Sequence, residues 1–354
     1  MSENEVLTEQ TAVEEEDRAV EVQAAENTAE GGEGTKKSAP VSPRIRRNMI
    51  WHRAKAWLYL APTIALLLLF TVWPIINTLR MSVLVNYDAS DELGGISFAF
   101  GFANFSRVVG YGSFKNCLLT TLLLTVITVP ISTMLALLIA VALNSIKWVK
   151  KTMQTIFFLP YVTNSIAIGM VFAAMFTVIG GWNNPESFGL MNRIIMAFGG
   201  KPINWVNEGS SYAANITVVA LYIIWNALPF KILILLGGLQ SVNKQYYDAA
   251  KVDGTSRFRT FWRITVPLLS PMLAYVIITS FISGFKEYSS IIAIFDGQMG
   301  PPGDYRRLIT MVGYIYDYVN EQQGRASAAA LILFAIIFVV TMINLYVSKK
   351  RVHY

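Results

Sequence analysis

Three charged side chains stand inside otherwise apolar sequence. Lys231 follows Pro229 and Phe230, and the neighbours Lys286 and Glu287 interrupt an apolar run from Leu268 to Phe295. A lysine at mid-bilayer costs roughly 2.5–3.5 kcal/mol on insertion scales, so charges in such places point to a solute path or a relay. Adjacent residues do not share a helix face, so one of Lys286 and Glu287 can line a path while the other finds a different partner. Catalysis has little to work with. His52 and His353 are the only histidines and flank the apolar part of the chain, which leaves no H-E-x-x-H zinc site and no Ser/His hydrolase. No G-x-x-x-x-G-K-[ST] phosphate loop is present, so ATP hydrolysis by this chain is not expected. The single cysteine, Cys117, excludes an intrachain disulfide and a multi-cysteine metal site.

The surrounding sequence must hold these charges in lipid. Of 354 residues, 54% are hydrophobic and 15% are charged, against roughly 25% charged in an ordinary soluble domain. An all-α, polytopic membrane protein is expected, because only helices satisfy every backbone polar group within their own segment in lipid. Six stretches reach or approach the roughly 20 residues that cross a bilayer: Trp57 to Leu79, Cys117 to Leu143, Thr155 to Ile179, Ala214 to Leu239, Pro267 to about Ile282, and Ala326 to Val347. Residues 1–43 are different. They are rich in Glu, Ala, Thr and Gly and lack aromatic residues, and positions 1–40 hold eleven acidic and three basic side chains. Such a segment buries too little surface to offset its ordering entropy, which predicts a disordered acidic tail ahead of a six-span domain over 44–354. It also lacks the apolar core of a cleavable signal peptide, so the first span is expected to act as an uncleaved anchor.

Lys and Arg fall unevenly. The flank 44–56, the loop after span two, the loop 240–266 and the C-terminal tail carry sixteen, and the three intervening loops, longer in sum, carry nine. By the positive-inside rule both termini and the 240–266 loop face the cytoplasm. On the opposite side, residues 188–198 and 308–319 read as short amphipathic helices, fit either to anchor at the interface or to meet an external protein.

The 240–266 loop is unusual for a connection between spans. From Lys244 to Val252 it suits a short helix, with Tyr246, Ala249 and Ala250 offering a face of little bulk. Gly254 supplies a C-cap or sharp bend, and Ser256 can cap a second helix whose Phe258, Phe261, Trp262 and Thr265 recur at helical spacing. Arg257, Arg259 and Arg263 take other positions, as in a helix lying at the lipid headgroups. Pro267 then opens span five. The result is either an amphipathic connection or a rigid rod between spans four and five that carries force from a soluble partner.

The order Asp248, Ala249, Ala250, Gly254, Ile264, Pro267 resembles the "EAA…G…I.LP" loop of permease subunits of binding-protein-dependent ABC importers, with Asp for the usual Glu and Val266 for the usual Leu. The wider likeness, to the maltose and glycerol-phosphate permease branch, covers about residues 50–350 and includes "FFLPYVTNSIAIGMVF" and "LPFKILILLGGLQSV". The resemblance implies a type I importer permease fold whose coupling helix, about Asn243 to Gly254, docks on an ATP-hydrolysing subunit through Tyr246, Asp248, Ala249, Ala250, Asp253 and Gly254. It also implies a second, similar permease and an extracytoplasmic solute-binding protein as partners. ATP and magnesium would then sit on the ATPase subunit, with no cofactor on this chain. Alignment through "GGLQS" and "SFISGFKEY" with the maltose branch places Asn226, Ala227 and Phe230 on one wall of a sugar path, and Ser280, Ser283, Gly284 and Glu287 on the other; Lys231, as a charge inside span four, is a further candidate for the path. Ordinary helix packing is the alternative role for each, and Lys231 can equally snorkel to the cytoplasmic headgroups. The expected function is therefore the permease subunit of an ATP-driven sugar or oligosaccharide importer in a bacterial cytoplasmic membrane. An ion-coupled secondary transporter is the main rival, although no internal repeat supports it and Glu287 is its one candidate carboxylate. An enzyme acting on lipid-linked sugars is a weaker rival, for want of an acid/base constellation. Nucleic acid is not expected as a partner, since the positive charge tracks topology.

Overall fold

The computed structural model describes residues 55, 57–146, 152, 155, 156, 159, 161, 163–182 and 184–351. The expected acidic tail, 1–43, lies outside the described residues. The chain divides into two compact units, 1–70 and 71–354. In the first, helix begins near Trp57, and apolar side chains such as Leu58, Leu67 and Phe70 are exposed, as on a lipid-facing surface. The second unit holds the remaining elements described below.

Four helices are long and apolar enough to cross a membrane: α1 (Trp57–Val83), then Phe114–Ser145, Tyr212–Ser241 and Gln323–Lys350. A helix pair, Arg257–Leu268 and Ser270–Phe285, passes the same test as one span bent by 70°. Numbered in chain order, α2 is Ala89–Leu93, α3 Ala103–Gly110, α4 Phe114–Ser145, α5 Ser165–Phe176, α6 Leu190–Ala197 and α7 Tyr212–Ser241. Then come α8, Lys244–Val252, α9, Arg257–Leu268, α10, Ser270–Phe285, α11, Ser289–Ile294, α12, Met311–Tyr318, and α13, Gln323–Arg351. Among the described residues the only β pairing is two isolated bridges, Leu84 with Phe100 and Val178 with Phe188.

Two boundaries depart from the sequence expectation, each for a local reason. The stretch Thr155 to Ile179 is not one helix. Asn164 begins a new one by accepting from the amides of Ile166 (2.9 Å) and Ala167 (3.3 Å), and α5 has only 12 residues, too few to cross hydrocarbon alone. Much of the segment before it, including Pro160, lies outside the described residues. Pro267 does not open span five but closes α9. The bend falls at Leu269, because Pro271 stands in the first turn of α10 and has no N–H for the carbonyl of Pro267. The missing N–H of Pro267 similarly accompanies a π-helical turn at Phe261–Thr265, as that of Pro74 does at Leu68–Val72.

Helix α4 packs along α7 and α10, and two buried clusters form along that contact. One, at the α12 end, joins Leu124, Tyr222, Phe285, Ile291 and Tyr314. The other, at the α8 end, joins Ala136, Ala140, Leu235, Leu269 and Val276. Glycine permits the closest approaches. A Cβ on Gly284 would lie 2.9 Å from Thr125 Cγ2, and one on Gly169 would lie 2.3 Å from the Cβ of Ala293. The amphipathic helix expected at 308–319 is α12, and its buried face is built into the first cluster. Met311 and Tyr314 of α12 are fully buried, and the Met311 amide donates to Thr121 Oγ1 at 3.0 Å. Next to it the Arg325 guanidinium lies over the rings of Tyr318 (3.9 Å), Tyr111 (4.6 Å) and Tyr314 (5.3 Å), pinning the start of α13 to α12.

Candidate functional site

Between the two apolar clusters the helices leave a cavity of about 570 Å³ lined by both polar and apolar side chains. The facing sides follow from helical spacing. On α7, Asn226 with Phe230 and Ala227 with Lys231 are i,i+4 pairs, and on α10 Ser280, Ser283, Gly284 and Glu287 continue one face through the end of the helix. All eight of these residues line the one cavity. Proline helps to shape it: Pro229 stands inside α7 and Pro130 inside α4, each removing one rung of the helix ladder beside the opening.

The third wall, from α4, is absent from the sequence expectation. Thr128 and Ser132 line the cavity as part of a buried hydroxyl column with Thr121 and Thr125. Thr121, Thr125 and Thr128 each donate to the carbonyl four residues back at 2.7 Å, and Ser132 donates to Thr128; of the two that line the cavity, Ser132 already accepts from Lys231 and the Thr128 oxygen remains able to accept from a solute. The recurrence of Thr and Ser every three or four residues in an apolar span was the available signal. Tyr275 and Thr279 of α10 also line the cavity. An apolar platform completes it, for Phe230 stacks on Tyr161 with centroids 5.9 Å apart and planes 19° apart.

The charges occupy defined places. Lys231 does not snorkel. It is 4% exposed, and its Nζ donates to Ser132 Oγ at 2.6 Å and Thr133 Oγ1 at 3.2 Å. Glu287 sits in the break between α10 and α11, where its Oε1 accepts from the amides of Tyr288 (3.1 Å) and Ser290 (3.0 Å). Its own carbonyl accepts from Thr310 Oγ1 at 2.9 Å, which ties the break to α12. Lys286 is exposed and is not among the residues lining the cavity, so Glu287 is the member of the pair that meets it. The arrangement suits a hydroxylated solute: aromatic faces for its C–H surface, hydroxyls and an amide for its oxygens, and one charge of each sign.

Below the cavity, α7 leads into α8. Asn243 caps α8 by accepting from the Gln245 amide at 3.0 Å. The helix stops in a Schellman motif: Gly254 has φ +66°, its amide donates to Lys251 O at 3.0 Å, and that of Thr255 donates to Ala250 O at 2.9 Å. Ser256 then starts α9, accepting from the Arg259 amide at 3.4 Å. On α8, Tyr246 is 55% exposed and Val252 89%, and Asp248, Ala249 and Asp253 are exposed too. Ala250 departs from the expected face. At 5% exposure it turns against its own chain, because residues 249 and 250 point about 100° apart around a helix. The free face is therefore Tyr246, Ala249, Val252 and Asp253, with Asp248 beside it and bonded to Lys251 Nζ at 2.9 Å. That ammonium, through its hydrogen bond and charge, holds the Asp248 carboxyl below its ordinary range.

Comparison with known proteins places these features. The chain is 30% identical over 300 residues to the arabinooligosaccharides transport system permease protein AraP of Bacillus subtilis, covering 84% of this chain and 89% of AraP. It is 27% identical over 308 residues to the lactose transport system permease protein LacF of Rhizobium radiobacter, covering 85% of this chain and 96% of LacF. Its fold matches a chain of a bacterial alginate ABC transporter, crystallised in complex with an alginate pentasaccharide-bound periplasmic protein, with a TM-score of 0.70 at 20% identity, over 86% of this chain and 96% of that one. These likenesses set aside the ion-coupled transporter and the membrane enzyme. The family model described as binding-protein-dependent transport system inner membrane component matches residues 129–353, a range that takes in α7, α8 and α10 and the part of α4 from Val129 onward, and the chain belongs to that family as a multi-pass permease subunit of an ABC importer.

Proposed function

We propose that this permease forms half of the translocation path for a sugar or oligosaccharide, with the cavity among α4, α7 and α10 as its solute site. The observation that carries this reading is the connectivity of α8. It links α7 directly, and α10 through α9, and these are two of the cavity's walls. A push on α8 thus reaches both walls, and helix packings switch between discrete arrangements rather than deforming continuously. The free face of α8 meets an ATP-binding subunit, which holds ATP and magnesium, while a second permease supplies the other half of the path. A solute-binding protein delivers the sugar to the α12 end. The Lys and Arg distribution supports cytoplasmic termini and a cytoplasmic α8. The saccharides in the names of AraP and LacF support the substrate class.

The test is site-specific cross-linking. A photoreactive side chain at Ala249 captures a nucleotide-hydrolysing subunit in native membranes, and the same probe at the buried Ala250 captures far less. Capture of no such subunit from either position would remove the reading.

A further inference from the structure

Among the described residues no carboxylate pairs with the Lys231 ammonium. Its two bonds go to the neutral hydroxyls of Ser132 and Thr133. An ammonium has three donors, so one is left without an acceptor among the described residues, on a side chain that lines the cavity. Glu287, the one carboxylate in the lining, is not within ion-pair reach of it: its Oε1 accepts from two amides of its own break, and its other oxygen makes no bond to Lys231. It also sits toward the other end. Gly284, one turn from Glu287, packs on Thr125, whereas Lys231 holds Ser132, and seven residues of α4 at 1.5 Å each separate these levels by about 10 Å.

A buried charge is costly unless an opposite charge meets it. With a neutral sugar, this wall of the path offers Lys231 only hydroxyls, in a place where leucine would fill the space without the cost of burying a charge. We propose that the cavity takes a substrate bearing an anionic group, a carboxylate or phosphate on a hydroxylated skeleton, and that Lys231 seats that group. The inference rests on the transport reading above and narrows its substrate class. The two charges orient the ligand. Glu287 turns the anion away from the α12 end and accepts from hydroxyls there, while Lys231 takes the anion near Ser132, and the Tyr161–Phe230 stack supports the carbon face beside it. At about 570 Å³ the cavity is larger than a bare inorganic anion fills and falls in the range of small-molecule sites.

The test uses the membrane complex purified through a tag on this chain and reads ligand affinity from the shift in unfolding temperature. The probes are galacturonate, its uncharged methyl ester, glycerol 3-phosphate and galactose. Galacturonate or glycerol 3-phosphate is expected to bind at least tenfold more tightly than the neutral probes. Lys231→Met should lose at least tenfold of that affinity, and Lys231→Arg should keep most of it. A preference for galacturonate names a carboxylate as the anion, and a preference for glycerol 3-phosphate names a phosphate. Equal affinity for acid and ester, unchanged acid affinity in Lys231→Met, or no binding of any probe overturns the proposal. If Lys231→Met does not assemble, the acid against its ester on the unaltered complex decides. Galactose binding that Phe230→Ala removes and Lys231→Met leaves intact would overturn this inference while the transport reading stands. A purified complex without an ATP-hydrolysing subunit would remove the reading itself.

Discussion

Replacing Gly254 with valine separates backbone geometry from contact at the end of α8. Gly254 has φ +66°, and no atom lies within 4 Å of where a Cβ would stand, so the substitution meets no steric clash with a neighbour. Its whole cost is conformational. The left-handed region costs an L-residue roughly 1–2 kcal/mol, and a β-branched side chain is a stronger outlier there. Escape from that region gives up the two Schellman bonds, from Gly254 N to Lys251 O and from Thr255 N to Ala250 O, at about 0.5–1.5 kcal/mol each. At about 1.4 kcal/mol per factor of ten, the capped arrangement of α8 and α9 should lose at least tenfold in population. The expected result in proteoliposomes of the full complex is a fall of tenfold or more in both transport and substrate-stimulated ATPase activity, with normal membrane insertion. Gly254→Asn, which tolerates positive φ, should keep most of the activity, and Gly254→Ala should fall between. Wild-type transport by the valine variant, or equal loss in the asparagine and valine variants, would refute the reasoning.

The close packing of α10 on α4 makes a second prediction: Gly284→Val, whose Cβ would meet Thr125 Cγ2 at 2.9 Å and Oγ1 at 3.0 Å, should cost about 1–3 kcal/mol by overpacking. Thr125→Ala in the same chain should recover part of the lost unfolding temperature, and no recovery would place the strain elsewhere. Arg325→Lys keeps the charge but loses the Nε–H bond to Tyr314 at 2.6 Å and the planar stacking on three tyrosines, so thermal stability should drop by about 1–2 kcal/mol. An unchanged melting curve would sink that account. Burial raises the Asp317 carboxyl above its ordinary range in spite of Arg306 at 2.6 Å. A carboxyl raised in the folded state binds its proton more readily there than in the unfolded chain, so its contribution declines as pH climbs from the ordinary Asp range through the raised one. The unfolding temperature of Asp317→Asn should lack that step, and an identical pH profile in both proteins would count against it.

Much of the site was legible because it depends on local spacing. The i,i+4 relations of Asn226 with Phe230 and of Ser280 with Gly284 put each set on one side of its helix whatever surrounds it, and both sets line the cavity. Gly254 could be identified as the helix stop for the same reason, since a C-cap with positive φ is a property of a few consecutive residues. The tetrad Thr121, Thr125, Thr128 and Ser132 carried an equally local signal, but its spacing does not say which neighbour that side of α4 faces.

Amino-acid order alone determined the apolar helices, the charges within them, the rod between spans four and five, and its stop at Gly254. These follow from hydropathy, helical period and the steric limits on φ, all of which act over a few residues. Tertiary structure decided the rest. It brought α4 against α7, which gave Lys231 hydroxyl partners in place of headgroups, and it turned Ala250 inward while leaving Ala249 free. It also packed one face of α12 into the core through Met311 and Tyr314. Those outcomes depend on which helix lies beside which, and at what depth and rotation. Packing between segments far apart in the chain, as between Thr121 and Met311, 190 residues apart, sets those variables, and no local pattern encodes them.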